Sequence, residues 1–395
     1  MDLRFTPEEA AFRAEVRAFI RDNLPLDIRE RLRPGHPARK EDTVAWQRIL
    51  NRKGWAAYPW PKEHGGPGWS AVQRMIFVDE NALAPAPDLS PFNITMIGPV
   101  LIQFGTDEQK SRFLDRARNL DDWWCQGFSE PGAGSDLAAL RTAARREGDH
   151  YIVNGSKIWT STAHQADWCF VLVRTNPNAA KPQEGISFLL VDMRTPGITV
   201  RPIISIDGEH HLNEVFFDDV KVPLSLRVHE ENRGWDVAKF LLGNERTGIA
   251  QVGASKGRVR AATEMARRTG ALDTAFRGRA AQLEVDLRAL EIMQYRMVSA
   301  QARQQDGRPD PLSSVLKVRG TELQQATTEL VVDGAGPLAM PLWARELAAF
   351  ANEPDELATR AEGAAREYLF LRACTIYGGS NEIQKNILSK AVLRL

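Results

Sequence analysis

HYIVNGSKIWTS (His150–Ser161), WCFVLVRT (Trp168–Thr175), ISFLLVDM (Ile186–Met193), ITVRPI (Ile198–Ile203) and HLNEVFFDDVKVP (His211–Pro223) follow one another in the middle of the chain. These short runs, rich in Val, Ile, Phe and Trp and parted by turn residues, read as strands of an antiparallel region spanning about Trp123 to Arg227. Asn154-Gly155 supplies the strongest hairpin signal. The loop NPNAAKPQEG (Asn176–Gly185) separates two strands whose continuous apolar runs predict burial on both faces. A compact β-barrel or sandwich fits.

Upstream, Phe12, Val16, Phe19 and Ile20 recur at helical spacing behind Pro7 and acidic residues, and helical texture extends to about Asp122. It is interrupted only by the turn-rich GWAAYPWPKEHGGPGWS (Gly54–Ser70). Downstream of Trp235 the helical pattern returns. Leu283, Leu287, Leu290, Met293 and Met297 form a bundle-like stripe in the longest of these helices. The expected class is a multidomain α+β chain: an all-α N-terminal domain over 1–122, an antiparallel β-barrel over 123–227 and a C-terminal four-helix bundle over 228–395.

The 395 residues are 43% hydrophobic and 26% charged, the balance of an ordinary globular protein. Fifty-one basic residues match 51 acidic ones, so no global field favours nucleic acid or an anionic bilayer. The longest uncharged stretch, Leu89–Thr106, contains Pro91 and Pro99 and reads as a broken buried helix, not a membrane span. Cys125, Cys169 and Cys374 are too few and scattered for a disulfide framework or zinc site, and no other metal site is evident. The charged N-terminus lacks a signal-peptide core, so a bacterial cytoplasm is the expected location.

Generic catalytic signatures fail. GASKG (Gly253–Gly257) has the spacing of a nucleophile elbow but lies in a helical stretch with no strand before it. A Walker A loop, HExxH and a strand-to-helix GxGxxG are absent from the sequence. More informative is WCQGFSEPGAGSDLAALRT (Trp124–Thr142), a turn-rich loop whose backbone N–H groups and Ser129 and Ser135 hydroxyls suit a pyrophosphate or the polar edge of a flat ring. The same composition also suits a plain domain linker. Trp159 and Ser161 stand at i and i+2, on one face of an expected strand, where Trp159 serves either as core or as a stacking surface.

GFSEPGAGSD followed by NGSKIWTS resembles the flavin-contacting signature of the acyl-CoA dehydrogenases, and IYGGSNEIQKNIL (Ile376–Leu388) resembles their C-terminal signature. WPKEHGGPGWS and FGTDEQK extend the likeness into the N-terminal part. The resemblance implies FAD held between the β domain and the C-terminal bundle. It implies that Phe128 and Ser129 line the pyrimidine side of the flavin, that Ser135 contacts the pyrophosphate, that Trp159 walls the isoalloxazine and that Ser161 reaches N5. Tyr377, Gly379, Ser380 and Glu382 match the stretch that closes over the ring and adenosine.

The sequence departs from the family pattern at Gly378, where the commonest members carry a catalytic glutamate. Glycine cannot act as a base. Other members of the family place the glutamate on a neighbouring helix directly before an arginine, and Glu245-Arg246 in FLLGNERTGIAQ (Phe240–Gln251) matches that arrangement. Flanking Phe240, Leu241, Leu242 and Ile249 favour burial, which raises a carboxyl pKa toward that of a useful base, tempered by Arg246. A surface Glu-Arg pair is the plain alternative. Two cross-subunit FAD contacts of homotetrameric members are also lost: MARRTGALDTAF (Met265–Phe276) leaves Arg267 or Arg268 as substitutes, and Val331 stands where a Gln is usual.

The resemblance therefore implies α,β-dehydrogenation of an acyl-CoA thioester, as in fatty acid β-oxidation, with Glu245 taking the α-proton and flavin N5 the β-hydride. Arg246 and Gly378 would border the substrate. Electrons would leave through an electron-transferring flavoprotein, and the assembly would be a homotetramer or an α2β2 heterotetramer with a second such subunit. A catalytically silent scaffold subunit, an acyl-CoA oxidase and a flavin monooxygenase are the competing readings.

Overall fold

The computed structural model describes residues 4–32, 37–245, 250–301, 311–340 and 356–394. Packing divides the chain into two compact units. A sheet unit comprises Gln47–Gly68 and Leu89–Glu245, and a helical unit comprises Met1–Trp46, Trp69–Asp88 and Arg246–Leu395. Elements still succeed one another in α–β–α order, and the helices before the sheet are shared between the two units.

In the sheet unit, β1 (Trp124–Gly127), β2 (Ala143–Glu147), β3 (His150–Lys157), β4 (Trp168–Arg174), β5 (Ile186–Asp192), β6 (Ile198–Ile203), β7 (Leu212–Pro223) and β8 (Arg227–Val228) form one sheet. The hydrogen-bonded path runs β6-β7-β3-β2-β4-β5-β8, and β1 pairs with β4 off this path. Pairing is antiparallel except for β1 with β4 and a single contact of β2 with β4. The first six residues of both β4 and β5 are buried, as their unbroken apolar runs predict. The β1–β4 register sets Cys125 opposite Cys169 as buried free thiols, and burial pushes the Cys125 thiol well up.

Asn154-Gly155 is not a hairpin turn. It lies inside β3 at a register shift, and the turn between β2 and β3 falls at Gly148, whose φ is 58°. Gly155 is required for a different reason, because a Cβ there would sit 2.7 Å from the Cα of Thr142. The Asn-Gly pair thus marks a bulge.

Buried amides tie the helices of this unit to its first strand. A π-helical turn (Phe92–Ile97) leads into α5 (Gly98–Phe104), ahead of α6 (Asp107–Asn119). The fully buried Asn93 donates to the carbonyls of Ala117 (3.1 Å) and Asp122 (2.8 Å) and accepts from the Trp124 N–H. The uncharged stretch from Leu89 is therefore a polar anchor inside an apolar core. No described helix is long and apolar enough to cross a membrane.

The helical unit starts with α1 (Pro7–Asn23), set by Pro7 at its first turn and a reciprocal Thr6–Glu9 capping box, then α2 (Leu26–Arg31) and the start of α3 (Lys40–Arg52). It continues with α4 (Ala71–Leu83), capped by Ser70 and Gln73, and with α8 (Val252–Thr269), α9 (Thr274–Gln301), α10 (Leu312–Ala335), α11 (Glu356–Phe370) and α12 (Asn381–Leu388). The expected stripe Leu283, Leu287, Leu290 and Met297 is buried, with Met293 packed beside it, among residues of α8, α10 and α11. GASKG lies in the first turns of α8, and the described element before it is the helix Gly234–Glu245 and not a strand, which argues against a nucleophile elbow.

Charged groups cross this unit. Glu80 accepts from Arg13 (2.5 Å) and Arg17 (2.8 Å), while Glu291 pairs with Lys256 and Arg288. Asp79 is pushed up to about 7 by burial, against the pull of Lys256. Its folded value thus exceeds the ordinary carboxylate value of about 3.9, and the folded state holds the extra proton between the two. Asp79 therefore weakens the fold as pH rises through that window. Asp79→Asn is expected to melt above wild type near pH 8 and level with it near pH 4, as read by calorimetry across pH.

Candidate functional site

β3 ends at Lys157, so Trp159 does not sit on a strand as its spacing suggests. Pairing with β7 resumes beyond it: Lys157 faces Val215, but the Thr160 N–H donates to the Asn213 carbonyl (2.9 Å) and the Thr162 N–H to that of His211 (2.9 Å). Three residues on one strand thus span two on the other, and one residue is extra. Trp159 lies in this bulge-like bend with a left-handed backbone (φ 60°) and 57% exposure. Such a conformation costs a bulky residue about 1–3 kcal/mol, and exposing an indole adds to it. Ser161 follows it, half-buried.

The glycine-rich loop is attached to the same bend. The Ser129 carbonyl accepts from the Ile158 N–H (2.9 Å), so Phe128 and Ser129 adjoin Trp159 in the backbone network. Phe128 is buried against Phe170 and Phe188, whereas Ser135 is exposed in the outer part of the loop. What holds the loop is a buried ion pair. Lys157 Nζ lies 2.8 Å from Glu130 Oε1 and donates to the Phe128 carbonyl (3.1 Å), with the lysine fully enclosed. Glu130 also accepts from the backbone N–H groups of Arg141 (2.7 Å) and Thr142 (2.9 Å).

Burial drives Lys157 down to about 8 despite its partner. Burial alone would raise Glu130, but Lys157 and the backbone donors hold it below its usual value. Arg174 braces the far side by donating to the carbonyls of Ala138 (2.6 Å) and Leu140 (3.1 Å). Glu130, Lys157 and Arg174 escape sequence reasoning because their partners lie far along the chain.

Two buried polar atoms have no hydrogen-bond partner among the described residues: Thr160 Oγ1 in the bend and Gln126 Nε2 on β1, two residues before Phe128. An exposed indole, a half-buried hydroxyl, an unused amide and a loop rich in backbone N–H groups form the donor set of a flat heteroaromatic ring with a polar edge and a phosphate tail. These residues fit FAD.

In the helical unit, the C-terminal signature leaves a short 3₁₀ segment (Leu371–Thr375) and enters α12 through Tyr377, Gly378, Gly379 and Ser380. Gly378 and Gly379 have φ of 65° and 79°. Ser380 caps α12 through the Ile383 N–H, and the exposed Glu382 is lowered by a backbone N–H and then the Ser380 hydroxyl. Helix α10 fixes this segment: the buried Lys317 donates to the Thr375 carbonyl (3.2 Å) and Asn381 Oδ1 (3.0 Å), and Ser314 donates to Gln384 (2.7 Å). Tyr377 is 43% exposed. Val331, where a glutamine is usual, is a buried core residue of α10.

Glu245 is the last residue of α7 (Gly234–Glu245), a helix of the sheet unit whose Val237, Ala238 and Leu241 are buried. Arg246 and Ile249 lie outside the described residues. Among those described, no group of His, Cys, Asp and Glu is placed to hold a metal ion.

Removing Lys157 strands a buried carboxylate. Lys157→Met is expected to lower unfolding stability by about 3 kcal/mol, and adding Glu130→Gln, which removes the stranded charge and keeps an acceptor for one of the 141 and 142 N–H groups, to restore part of it. Equilibrium denaturant unfolding of wild type and the two variants reads this out.

Known proteins share this arrangement. The N-terminal, middle and C-terminal domain models of the acyl-CoA dehydrogenases match residues 6–119, 125–220 and 232–393. Acyl-CoA dehydrogenase IpdE1 of Mycobacterium tuberculosis (strain ATCC 25618 / H37Rv) is 40% identical over 393 residues, covering 97% of each chain. Acyl-CoA dehydrogenase FadE26 of the same organism is 35% identical over 100% of this chain and 99% of its own. Among solved structures, the Tcur3481-Tcur3483 steroid ACAD matches with a TM-score of 0.86 at 30% identity, over 100% of this chain and 99% of that one. The ChsE4-ChsE5 complex from Mycobacterium tuberculosis matches at 0.83 and 33% identity, with the same coverage. With these matches and the geometry above, the chain belongs to the acyl-CoA dehydrogenase family, FAD-dependent oxidoreductases that act on acyl-CoA thioesters.

Proposed function

We propose that Glu245 is the base that takes the α-proton of the acyl-CoA substrate. Two observations support this. Position 378, where most of the family carries the glutamate, is a glycine with a left-handed backbone, and Glu245 closes a helix whose Leu241, one turn earlier, is fully buried. A base on this helix would take up the role that a glycine at 378 cannot fill. Bound FAD supplies the acceptor for the β-hydride.

The remaining residues hold and orient. Phe128, Ser129, Trp159 and Ser161 would border the flavin ring, Ser135 its pyrophosphate, and Tyr377, Ser380 and Glu382 the ring and adenosine. Arg246 and Gly378 would border the acyl chain, and a glycine leaves space for bulky chains. The exposed, strained Trp159 carries this assignment, because no packing need explains it.

Heteromeric neighbours, the steroid ACAD and the ChsE4-ChsE5 complex, support an α2β2 assembly with a second subunit of the same family, alongside the homotetramer. Val331 in place of a cross-subunit glutamine favours the heteromer. Steroid-derived acyl chains are the substrate class that these neighbours favour, an electron-transferring flavoprotein is the expected acceptor, and the cytoplasm the expected compartment. The three-part division at 122/123 and 227/228 and a barrel-like middle domain complete the reading.

Glu245→Gln is expected to bind FAD as wild type does, yet to slow anaerobic flavin bleaching by acyl-CoA at least about a thousandfold, within the range for loss of an essential base. Wild-type bleaching rates would remove Glu245 from this role. Rapid peroxide formation on admitting oxygen would instead favour an oxidase. Expressed alone, the chain is expected to retain little FAD and to turn yellow when co-purified with its partner subunit.

A further inference from the structure

Where β3 leaves the sheet, Asn213 takes over from the regular ladder. Its backbone carbonyl accepts from the Thr160 N–H (2.9 Å), and its fully buried side-chain amide donates to the Thr160 carbonyl (3.0 Å). Both backbone groups of the residue after Trp159 are thus satisfied by one asparagine. Because the Thr160 oxygen only accepts, the amide nitrogen must face it, and Oδ1 must face the other way.

Two histidines fill the remaining capacity of that amide. His210 Nε2 lies 2.7 Å from Asn213 Oδ1 and donates to it, while His164 Nδ1 lies 3.2 Å from Asn213 Nδ2 and accepts. The two imidazoles stack with centroids 3.8 Å apart and planes 20° from parallel. Asn213 is therefore fixed in orientation from three sides, on the inner side of the bend whose outer side presents Trp159. Strained backbone persists only where its surroundings over-determine it.

We propose that Asn213, oriented by His164 and His210, is a positioning residue that holds Trp159 in its left-handed bend and so sets the surface offered to the flavin. The proposal rests on the assignment of Trp159 as the flavin wall. Asn213 touches no reacting atom in it. Its side chain replaces a missing strand bond, and the histidine pair prevents the amide from turning over.

The isosteric variant Asn213→Asp tests this in the purified holoenzyme. A carboxylate still accepts from His210 but can no longer donate to the Thr160 carbonyl, so the bend loses its clamp without loss of volume. Bound-flavin absorption and fluorescence, FAD affinity and melting temperature are compared among wild type, Trp159→Phe and Asn213→Asp. The expected result is a flavin spectral shift in the direction given by Trp159→Phe, with FAD bound about tenfold more weakly, the scale of one hydrogen bond.

A lowered melting temperature with an unchanged flavin spectrum and FAD affinity would overturn the positioning role. If Trp159→Phe itself leaves the flavin spectrum unchanged, the assignment of Trp159 falls and the proposal falls with it. Should Asn213→Asp fail to fold, His210→Ala and His210→Gln decide in its place. A shift in the first that the second reverses supports the proposal, and no shift in either overturns it.

Discussion

A single enclosed ion pair organises the sheet unit. Lys157 and Glu130 lie 27 residues apart in sequence, both largely removed from water, and neither charge is tolerable there without the other. Because Lys157 is the last residue of β3, the pair fixes where that strand stops. Because Glu130 also gathers the N–H groups of Arg141 and Thr142, it closes the glycine-rich loop into a defined ring of backbone. The bend bearing Trp159 begins at the next residue, so strand end, loop and bend share one anchor.

The helical unit reaches a comparable result by other means. Its C-terminal signature is regular structure only from Asn381 onward, and side chains of α10 hold the preceding turn through Lys317 and Ser314. A balanced net charge suits the FAD site proposed above, since backbone amides, hydroxyls and helix starts can hold phosphates without a global positive field.

The order of elements, the doubly buried strands and the bundle stripe were legible in the sequence because each rests on local periodicity. The motif residues were legible as a set, since SEPGAGSD and NGSKIWTS fall at recognisable spacing. Their conformations were not. Nothing local distinguishes a Trp in a left-handed bend from one on a strand, and HYIVNGSKIWTS offers an Asn-Gly that looks like a hairpin turn and is a bulge. Lys157 reads as an ordinary solvent-facing strand lysine until Glu130 is brought beside it, and Asn213 as a strand residue of poor propensity until Thr160 is found to need both its bonds.

The two consecutive left-handed glycines at 378 and 379 constrain how this chain can change over time. A glutamate introduced at 378 would have to be accommodated in a backbone that ordinary side chains disfavour. Placing a proton-abstracting group at the position most of the family uses therefore carries a backbone cost in this chain. With Glu245 as the base proposed above, that cost of about 1–2 kcal/mol for a left-handed side chain stands against the reverse exchange, so the two glycines favour keeping the base where it is.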